Sequence, residues 1–216
     1  MPALASSTSP GVPAVHIRAA TDQDQRAASR LLATAFADKL VPVIGSPGAA
    51  VRLFEEAWQT ELGRRAQVIV AERRGELAGA IVLRTTEAPA PRDDRALWQA
   101  LRRNTPWWRL PLVLLALTLL DNEAEPDHVY VDALAVAAPY RGHGIGGALL
   151  RDAVAWARDQ GANQISLDVS VHNSGAQRLY ARHGFRVRAT RYSLLMRLLV
   201  GHLGFRRMSR VLRDER

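Results

Sequence analysis

Residues 128–150 read HVYVDALAVAAPYRGHGIGGALL, and this stretch decides the fold. Its first nine residues, His128–Val136, are largely apolar, with β-branched valines at 129, 131 and 136, and predict a strand. Ala137–Gly142 predicts a turn, and Gly144–Gln160 carries apolar residues at helical spacing. With a further strand predicted over Gln164–Val171, the order is strand, helix, strand. The chain therefore contains a βαβ unit, so at least one strand pair is expected to be parallel.

Four glycines crowd the junction between this strand and helix: Gly142, Gly144, Gly146 and Gly147. Glycine lets the backbone approach a ligand without a β-carbon in the way. The first turn of a helix also presents unpaired N–H groups and the positive end of its dipole, which suit a phosphate. Arg141 adds a fixed charge, and His143 lies within the loop. Each glycine weakens the start of a helix by up to about 1 kcal/mol relative to alanine. Four glycines are therefore more than a tight turn without a ligand requires.

A dinucleotide site is one interpretation of these glycines. Gly142-x-Gly144-x-x-Gly147 has the G-x-G-x-x-G spacing, and Asp168 follows on the next predicted strand about 20 residues later. Asp168 lies inside that strand, however, whereas an acid that binds a ribose is expected at its end. The segment after Asp168 also matches a different pattern.

Two motifs in order resemble the GNAT (GCN5-related N-acetyltransferase) family. The first is Leu134-Ala-Val136 followed by Pro139-Tyr-Arg141-Gly-His-Gly144-Ile-Gly146, which is similar to the family's R/Q-x-x-G-x-G/A loop and the strand before it. The second is Asn173-x-x-Ala176-x-x-Leu179-Tyr180-x-x-x-Gly184-Phe185. The match extends from Val129 to about Val187. The resemblance implies direct transfer of an acyl group from acetyl-CoA to an amine, with no acyl-enzyme and no metal.

The resemblance also implies which residues hold CoA. The backbone of Leu134, Ala135 and Val136 would pair with the pantetheine arm like an added strand. The pyrophosphate would be held by the loop, whose residues are Arg141, Gly142, His143, Gly144, Ile145, Gly146 and Gly147. Asn173 would contact the CoA arm, although capping of the helix after it is an alternative role.

Two residues are candidates for proton transfer. Tyr180 matches the family's Leu-Tyr pair and would protonate the departing CoA thiolate, although a tyrosine at this spacing is also expected in a core. Asp132, two residues before Leu134, is the candidate general base that deprotonates the amine. A polar role on a half-exposed strand is its alternative. His128, the acidic residues between Asp121 and Asp127, and a water chain are further candidates for the base.

The remaining sequence predicts one α/β domain, residues 14–216, with a central, mixed, twisted sheet flanked by helices and a flexible lead-in over residues 1–13. Helices are expected at Asp24–Leu40, Ala49–Gly63 and Ser193–Leu203, with a loop over Val41–Gly48. The runs Gln67–Ala71 and Leu77–Thr85 predict a hairpin, and Phe205–Leu212 predicts a last strand.

A helical insertion of about 30 residues is expected at about 92–120, before the central strand. Its apolar end, Leu110–Leu120, is too short to span a bilayer, which takes roughly 20 residues. Packing of this end and of Trp107 and Trp108 against the core is favoured. An apolar acceptor pocket or a homodimer contact is the alternative.

The amino-acid composition limits which cofactors and ligands the protein can bind. The chain has no cysteine, which excludes disulfides, thiolate nucleophiles and cysteine-bound metals. The six histidines lack metal-site spacing. The net charge of +8 arises from scattered arginines, and a compositional habit is the favoured explanation of it. An anionic ligand is the second interpretation, and nucleic acid ranks below it. The expected acceptor is an amine on a small molecule, peptide or protein, and the expected location is the cytoplasm. A CoA-binding sensor without catalysis and an NAD-dependent oxidoreductase are the alternative functions.

Overall fold

The computed structural model describes residues 15–59, 66–85, 94–111, 113, 127–192 and 204–212. Within them, seven strands form one sheet in the order β1-β2-β3-β4-β5-β7-β6. The strands are β1 His16–Ala19, β2 Ala66–Arg73, β3 Glu76–Thr85, β4 His128–Val136, β5 Gln164–Ser170, β6 Arg186–Tyr192 and β7 Gly204–Val211. The helices are α1 Gln25–Ala35, α2 Ala37–Ile44, α3 Pro47–Gln59, α4 Asp94–Asn104, α5 Ile145–Asp159 and α6 Ser174–Arg182. None of these helices is long and apolar enough to cross a membrane.

The sheet is mixed, as the sequence predicts. β4 and β5 are parallel and joined through α5, whereas the other neighbouring strands described here are antiparallel. The parallel pairing is short, because it extends only from His128 with Gln164 to Val131 with Leu167. Beyond that point both strands continue without pairing with each other.

A β-bulge lies where the two parallel strands part. Val131 of β4 pairs with Leu83 of β3, and the next paired residue, Ala133, faces Val82, so Asp132 is the extra residue. A bulge bends its strand and increases the local twist. The bend therefore coincides with the end of the β4–β5 pairing, and it marks the position where a gap opens within the sheet.

The two faces of the sheet differ in what covers them. The face towards α5 carries the largest core cluster, which includes Val129, Val131, Leu167 and Leu149. Because side chains alternate along a strand, Tyr130 of β4 lies on the opposite face, which α1 covers over β3 and β4. Apolar residues therefore fix α5 against the sheet, and polar residues remain at the other face of β4 and β5.

The prediction for residues 24–48 was wrong in two respects. The expected single helix is two, because the chain turns at Phe36 between α1 and α2. The expected loop Val41–Gly48 is helical up to Ile44, with Pro42 inside the helix and Gly45 ending it at a φ of 112°. Burial of Ile44 against the start of α3 compensates for the hydrogen bond that proline cannot donate.

The expected helical insertion is described only in part. α4 confirms its first helix. Trp107–Arg109 forms a short 3-10 turn, and the residues that follow it, Leu110, Pro111 and Val113, are helical. Trp107 and Trp108 are exposed, so packing of these two rings in the core was wrong. Residues 112 and 114–126, the lead-in over residues 1–13, and the helix predicted over Ser193–Leu203 lie outside the described residues.

Candidate functional site

The glycine loop, Arg141–Gly147, connects β4 to α5 and contains two residues with left-handed backbone. Gly142 and Gly144 both have a φ of 79°, a conformation that side chains rarely adopt. A β-carbon placed on either residue would meet no atom within 4 Å. The space beside these two glycines is therefore open.

The other two glycines of this loop are required by packing. A β-carbon on Gly146 would lie 3.2 Å from Leu179 of α6, and one on Gly147 would lie 2.8 Å from Nε2 of His183. Leu179 and His183 thus hold the end of α6 against the first turn of α5. The four glycines serve two purposes, since two shape an open loop and two bring a second helix beside it.

The backbone N–H groups at the start of α5 suit an anionic ligand. At the start of α5, the N–H of Ala148 donates to the carbonyl of Gly144, the residue before the helix, at 3.0 Å. The N–H groups just before it belong to the first turn, where a helix offers no partner carbonyl. The Arg141 side chain donates to the carbonyl of Val136 at 3.1 Å, and Nδ1 of His143 lies 2.9 Å from the Arg141 carbonyl. These contacts orient the Arg141 and His143 side chains within the loop.

The unpaired edge of β4 lies beside this loop. Leu134, Ala135 and Val136 pair with β3 along one edge. On their other edge the pairing with β5 has already ended at Val131. β5 meanwhile continues to Ser170, paired with β7. The backbone of Leu134–Val136 therefore borders a cleft between two strands that an extended chain can enter.

The start of α6 forms the far wall of the cleft. The Asn173 side chain accepts from the N–H of Ala176 at 3.0 Å, which is the capping role considered for it. Gln177 donates to the carbonyls of Ser170 and Val171, and its side-chain oxygen accepts from Arg206. α6 is thus fixed to the end of β5 by side chains, at the level of the cleft.

Tyr180 lies in the core cluster, with 8% of its surface exposed. Its ring is tilted against that of Phe185 at a centroid distance of 6.0 Å. Burial raises the pKa of the Tyr180 phenol to about 12, so it keeps its proton throughout the neutral range. The core and proton-donor roles are compatible, since a buried neutral phenol is a hydrogen-bond donor.

A paired-charge cluster, Arg84, Tyr130, Asp132, Asp168 and Arg207, lies across β3, β4, β5 and β7. Arg84 donates to both oxygens of Asp132, the closest contact being 2.9 Å, and Arg207 binds Asp168 at 3.0 Å. Each guanidinium carbon also lies within 6 Å of the centre of the Tyr130 ring, at 5.6 and 5.7 Å. Burial, together with Asp168, raises the pKa of the Tyr130 phenol above its usual range.

The structure brings the predicted residues together in two groups. The glycine loop and Leu134–Val136 border the cleft, while Asp132 lies at its beginning within the paired-charge cluster. Sequence reasoning missed Arg84, Tyr130 and Arg207, whose only signal was the alternation of polar residues along predicted strands. Asp168, the acid of the dinucleotide interpretation, is bound by Arg207 within β5. Among the described residues, no three His, Asp or Glu side chains are grouped as a metal site.

Comparison with known sequences agrees with this geometry. The sequence pattern of the acetyltransferase (GNAT) family matches residues 35–185. The chain belongs to the GNAT family. The match includes the β4 edge, the glycine loop and α6 up to Phe185, so it covers the whole cleft. The GNAT resemblance of the two sequence motifs is thereby confirmed.

Individual relatives agree on the family. N-acetyltransferase 8F1 from Rattus norvegicus is 33% identical over 89 residues, or 41% of this chain and 40% of the relative. The chain thus matches less than half of that relative's length. A solved acetyltransferase is 27% identical, with a TM-score of 0.62 over 92% of this chain and all of the other. A Bacillus subtilis acetyltransferase solved in complex with CoA shares the fold at 18% identity and a TM-score of 0.56, over 93% of this chain and all of the other.

Proposed function

We propose that this GNAT protein transfers an acetyl group from acetyl-CoA directly to an amine acceptor. The observation that carries the proposal is the cleft between β4 and β5, which opens beside the glycine loop. An extended arm with a pyrophosphate at one end needs both features together, a strand edge and a cluster of free amides. The solved GNAT neighbour in complex with CoA supports the same choice of donor.

The chain's own residues fit such a donor. The open space beside Gly142 and Gly144 would admit a pyrophosphate, and the amides of the first turn of α5 would donate to it. The Leu134–Val136 edge would bind the amides of the arm. Acetyl-CoA supplies an activated thioester, so the protein has to position it, accept one proton and donate another.

Tyr180 is the proposed proton donor. As the amine nitrogen bonds to the carbonyl carbon and the carbon–sulfur bond breaks, the sulfur leaves with a negative charge. The Tyr180 phenol would give its proton to that sulfur, producing free CoA thiol. A pKa of about 12, raised by burial, keeps the phenol protonated before this step.

Asp132 is the proposed acceptor-side base. An amine is mostly protonated at neutral pH and has to lose a proton before it attacks. Asp132 lies at the bulge, where β4 bends away from β5 and the cleft begins. Arg84 holds its carboxylate from one side, so a proton would reach it through the remaining lone pairs or through a water molecule.

Calorimetric titration tests the donor first. We expect acetyl-CoA and CoA to bind the purified protein and NADH not to bind. The second measurement is release of free thiol from acetyl-CoA with a panel of small amines, peptides and proteins. Binding of CoA without thiol release over a broad panel would support a CoA sensor instead, and absence of CoA binding would remove the proposal altogether.

A further inference from the structure

A second cationic feature lies along α5, past the glycine loop. Four arginines and one histidine line a surface hollow of about 550 Å³ between α5, the end of α6 and β7. We call it the arginine hollow; its titratable residues are Arg151, Arg158, Arg182, His183 and Arg210. The carboxylates of α5, Asp152 and Asp159, are not among the residues that line it.

The positive charge of the arginine hollow is not balanced within the described part of the chain. None of its four arginines forms an ion pair there, in contrast to Arg84 and Arg207 on the sheet. Arg210 donates to the carbonyl of His183 at 2.8 Å, which orients the guanidinium without neutralising it. Several cations around one concave surface repel one another, and an anion in the hollow would remove that repulsion.

The arginine hollow adjoins the glycine loop. Nε2 of His183 lies 2.8 Å from the position a β-carbon would take on Gly147, and an Arg151 guanidinium nitrogen lies 3.8 Å from the same position. Gly147 is itself in the first turn of α5, beside the proposed pyrophosphate site. A ligand held by the glycine loop therefore has a second, cationic surface within one helical turn.

We propose that the arginine hollow binds the 3′-phosphate of CoA, at its end formed by Arg151, Arg182 and His183. The proposal rests on the donor site proposed above. The 3′-phosphate is attached to the ribose next to the pyrophosphate, so it lies near the glycine loop whenever the pyrophosphate does. A phosphate monoester carries about −1.5 to −2 charges at neutral pH, and guanidinium groups bind it through paired N–H donors.

The pKa of His183 responds to the charge of the arginine hollow. Burial lowers its pKa first, and the charges of Arg151, Arg182 and Arg210 lower it further. Burial and these three charges therefore all favour the neutral ring. A bound phosphate offsets those charges, so the His183 pKa is expected to rise when the hollow is filled.

The test compares CoA with dephospho-CoA, which lacks only the 3′-phosphate, by calorimetric titration. We expect the wild-type protein to bind CoA at least about tenfold more tightly, the size of one charge-assisted hydrogen bond. In the Arg151→Gln/Arg182→Gln variant the two ligands should bind within about twofold of each other. Affinity for dephospho-CoA should change little, because the glycine loop is intact.

The matched control is Arg30→Gln/Arg178→Gln, which removes the same net charge from exposed positions outside the hollow. It should keep the wild-type preference for CoA. Equal binding of the two ligands by the wild type, or an equal loss of preference in the control, would overturn the proposal. Failure of both ligands to bind would instead overturn the donor site. If the double variant does not fold, the His183 ring signals in NMR decide, since they should shift with pH differently in CoA than in dephospho-CoA.

Discussion

The glycine loop and the paired-charge cluster lie at the two ends of the β4 segment from Asp132 to Val136. The first consists mainly of backbone groups and the second of charged side chains. The glycine loop would bind through backbone, and a β-carbon on Gly142 or Gly144 would meet no atom within 4 Å. The paired-charge cluster is made of long side chains, contributed by four strands and joined across 48 and 39 residues of sequence. One is fixed by local conformation and the other by the register of the sheet.

In the proposed function, this difference separates a donor side, the glycine loop, from an acceptor side, the paired-charge cluster. A backbone site recognises a phosphate whatever the neighbouring side chains are, so it suits a donor common to a whole family. A side-chain site can be changed one residue at a time without disturbing the strands below it. The paired-charge cluster is therefore where this protein's own acceptor preference would be encoded.

The largest effect is expected from Gly144→Ala, which should weaken CoA binding without changing the paired-charge cluster. A side chain at a φ of 79° is strained, and moving the loop would cost two amide contacts to a charged group, or about 100-fold in CoA affinity. Gly75→Ala is the control, since Gly75 has a φ of 78° and equally open surroundings in the β2–β3 turn. Both variants should lose about 1 kcal/mol of unfolding free energy. Similar CoA affinities for the two would contradict the assigned role of the loop.

Tyr180→Phe should separate chemistry from binding on the donor side. We expect turnover to fall at least about tenfold while CoA affinity stays nearly unchanged, because only the proton donor is removed. Tyr192→Phe, an exposed tyrosine at the end of β6, is the control and should have wild-type turnover. A wild-type turnover number for Tyr180→Phe would show that the phenol has only a packing role.

Comparing Asp132→Asn with Asp168→Asn separates a base at Asp132 from a general effect of charge in the cluster, since both variants remove a carboxylate bound by an arginine. If Asp132 is the base, its variant should lose roughly fivefold or more in turnover, and the Asp168 variant less than about twofold. Neither should alter CoA affinity, as both carboxylates lie outside the glycine loop. Equal losses in turnover would mean that the cluster acts through its charge balance and not through a base at Asp132.

The smallest effect concerns pH. The Tyr180 pKa is raised to about 12, so its protonated form is retained up to well above neutral pH. Turnover should therefore not decline between about pH 8 and about pH 10. A decline with a midpoint below about pH 10 that disappears in Tyr180→Phe would show that the phenol is more acidic than its burial implies.

The sequence predicts the place of the glycine loop well because glycine residues indicate where the backbone adopts conformations that other residues avoid. The four glycines, the strand before them and the βαβ order were sufficient to place the loop and the parallel pair. The sequence did not show which glycines shape the loop and which allow helix packing. Only the structure places Leu179 beside Gly146 and His183 beside Gly147. The helix cap at Asn173 was likewise predicted from a local signal.

The acceptor side was not predictable, because its contacts depend on register. No local pattern shows that Asp132 is the extra residue of a bulge, or that Arg84 and Arg207 lie on either side of Tyr130. The loop predicted over Val41–Gly48 failed for a related reason. Proline normally interrupts a helix, and here burial of Ile44 against Ala49 and Ala50 at the start of α3 outweighs that preference.

The position of β7 between β5 and β6 has a consequence for how the protein is made. During synthesis β6 leaves the ribosome before β7, yet its place in the sheet exists only once β7 has paired with β5. Pairing over such a separation is slow to form, and strands waiting for a partner are prone to aggregate. β6 carries Arg186, Arg188 and Arg191 on an exposed strand, and these charges oppose premature association with other chains. β7, which emerges after β6, is thus the strand that joins β6 to the rest of the sheet.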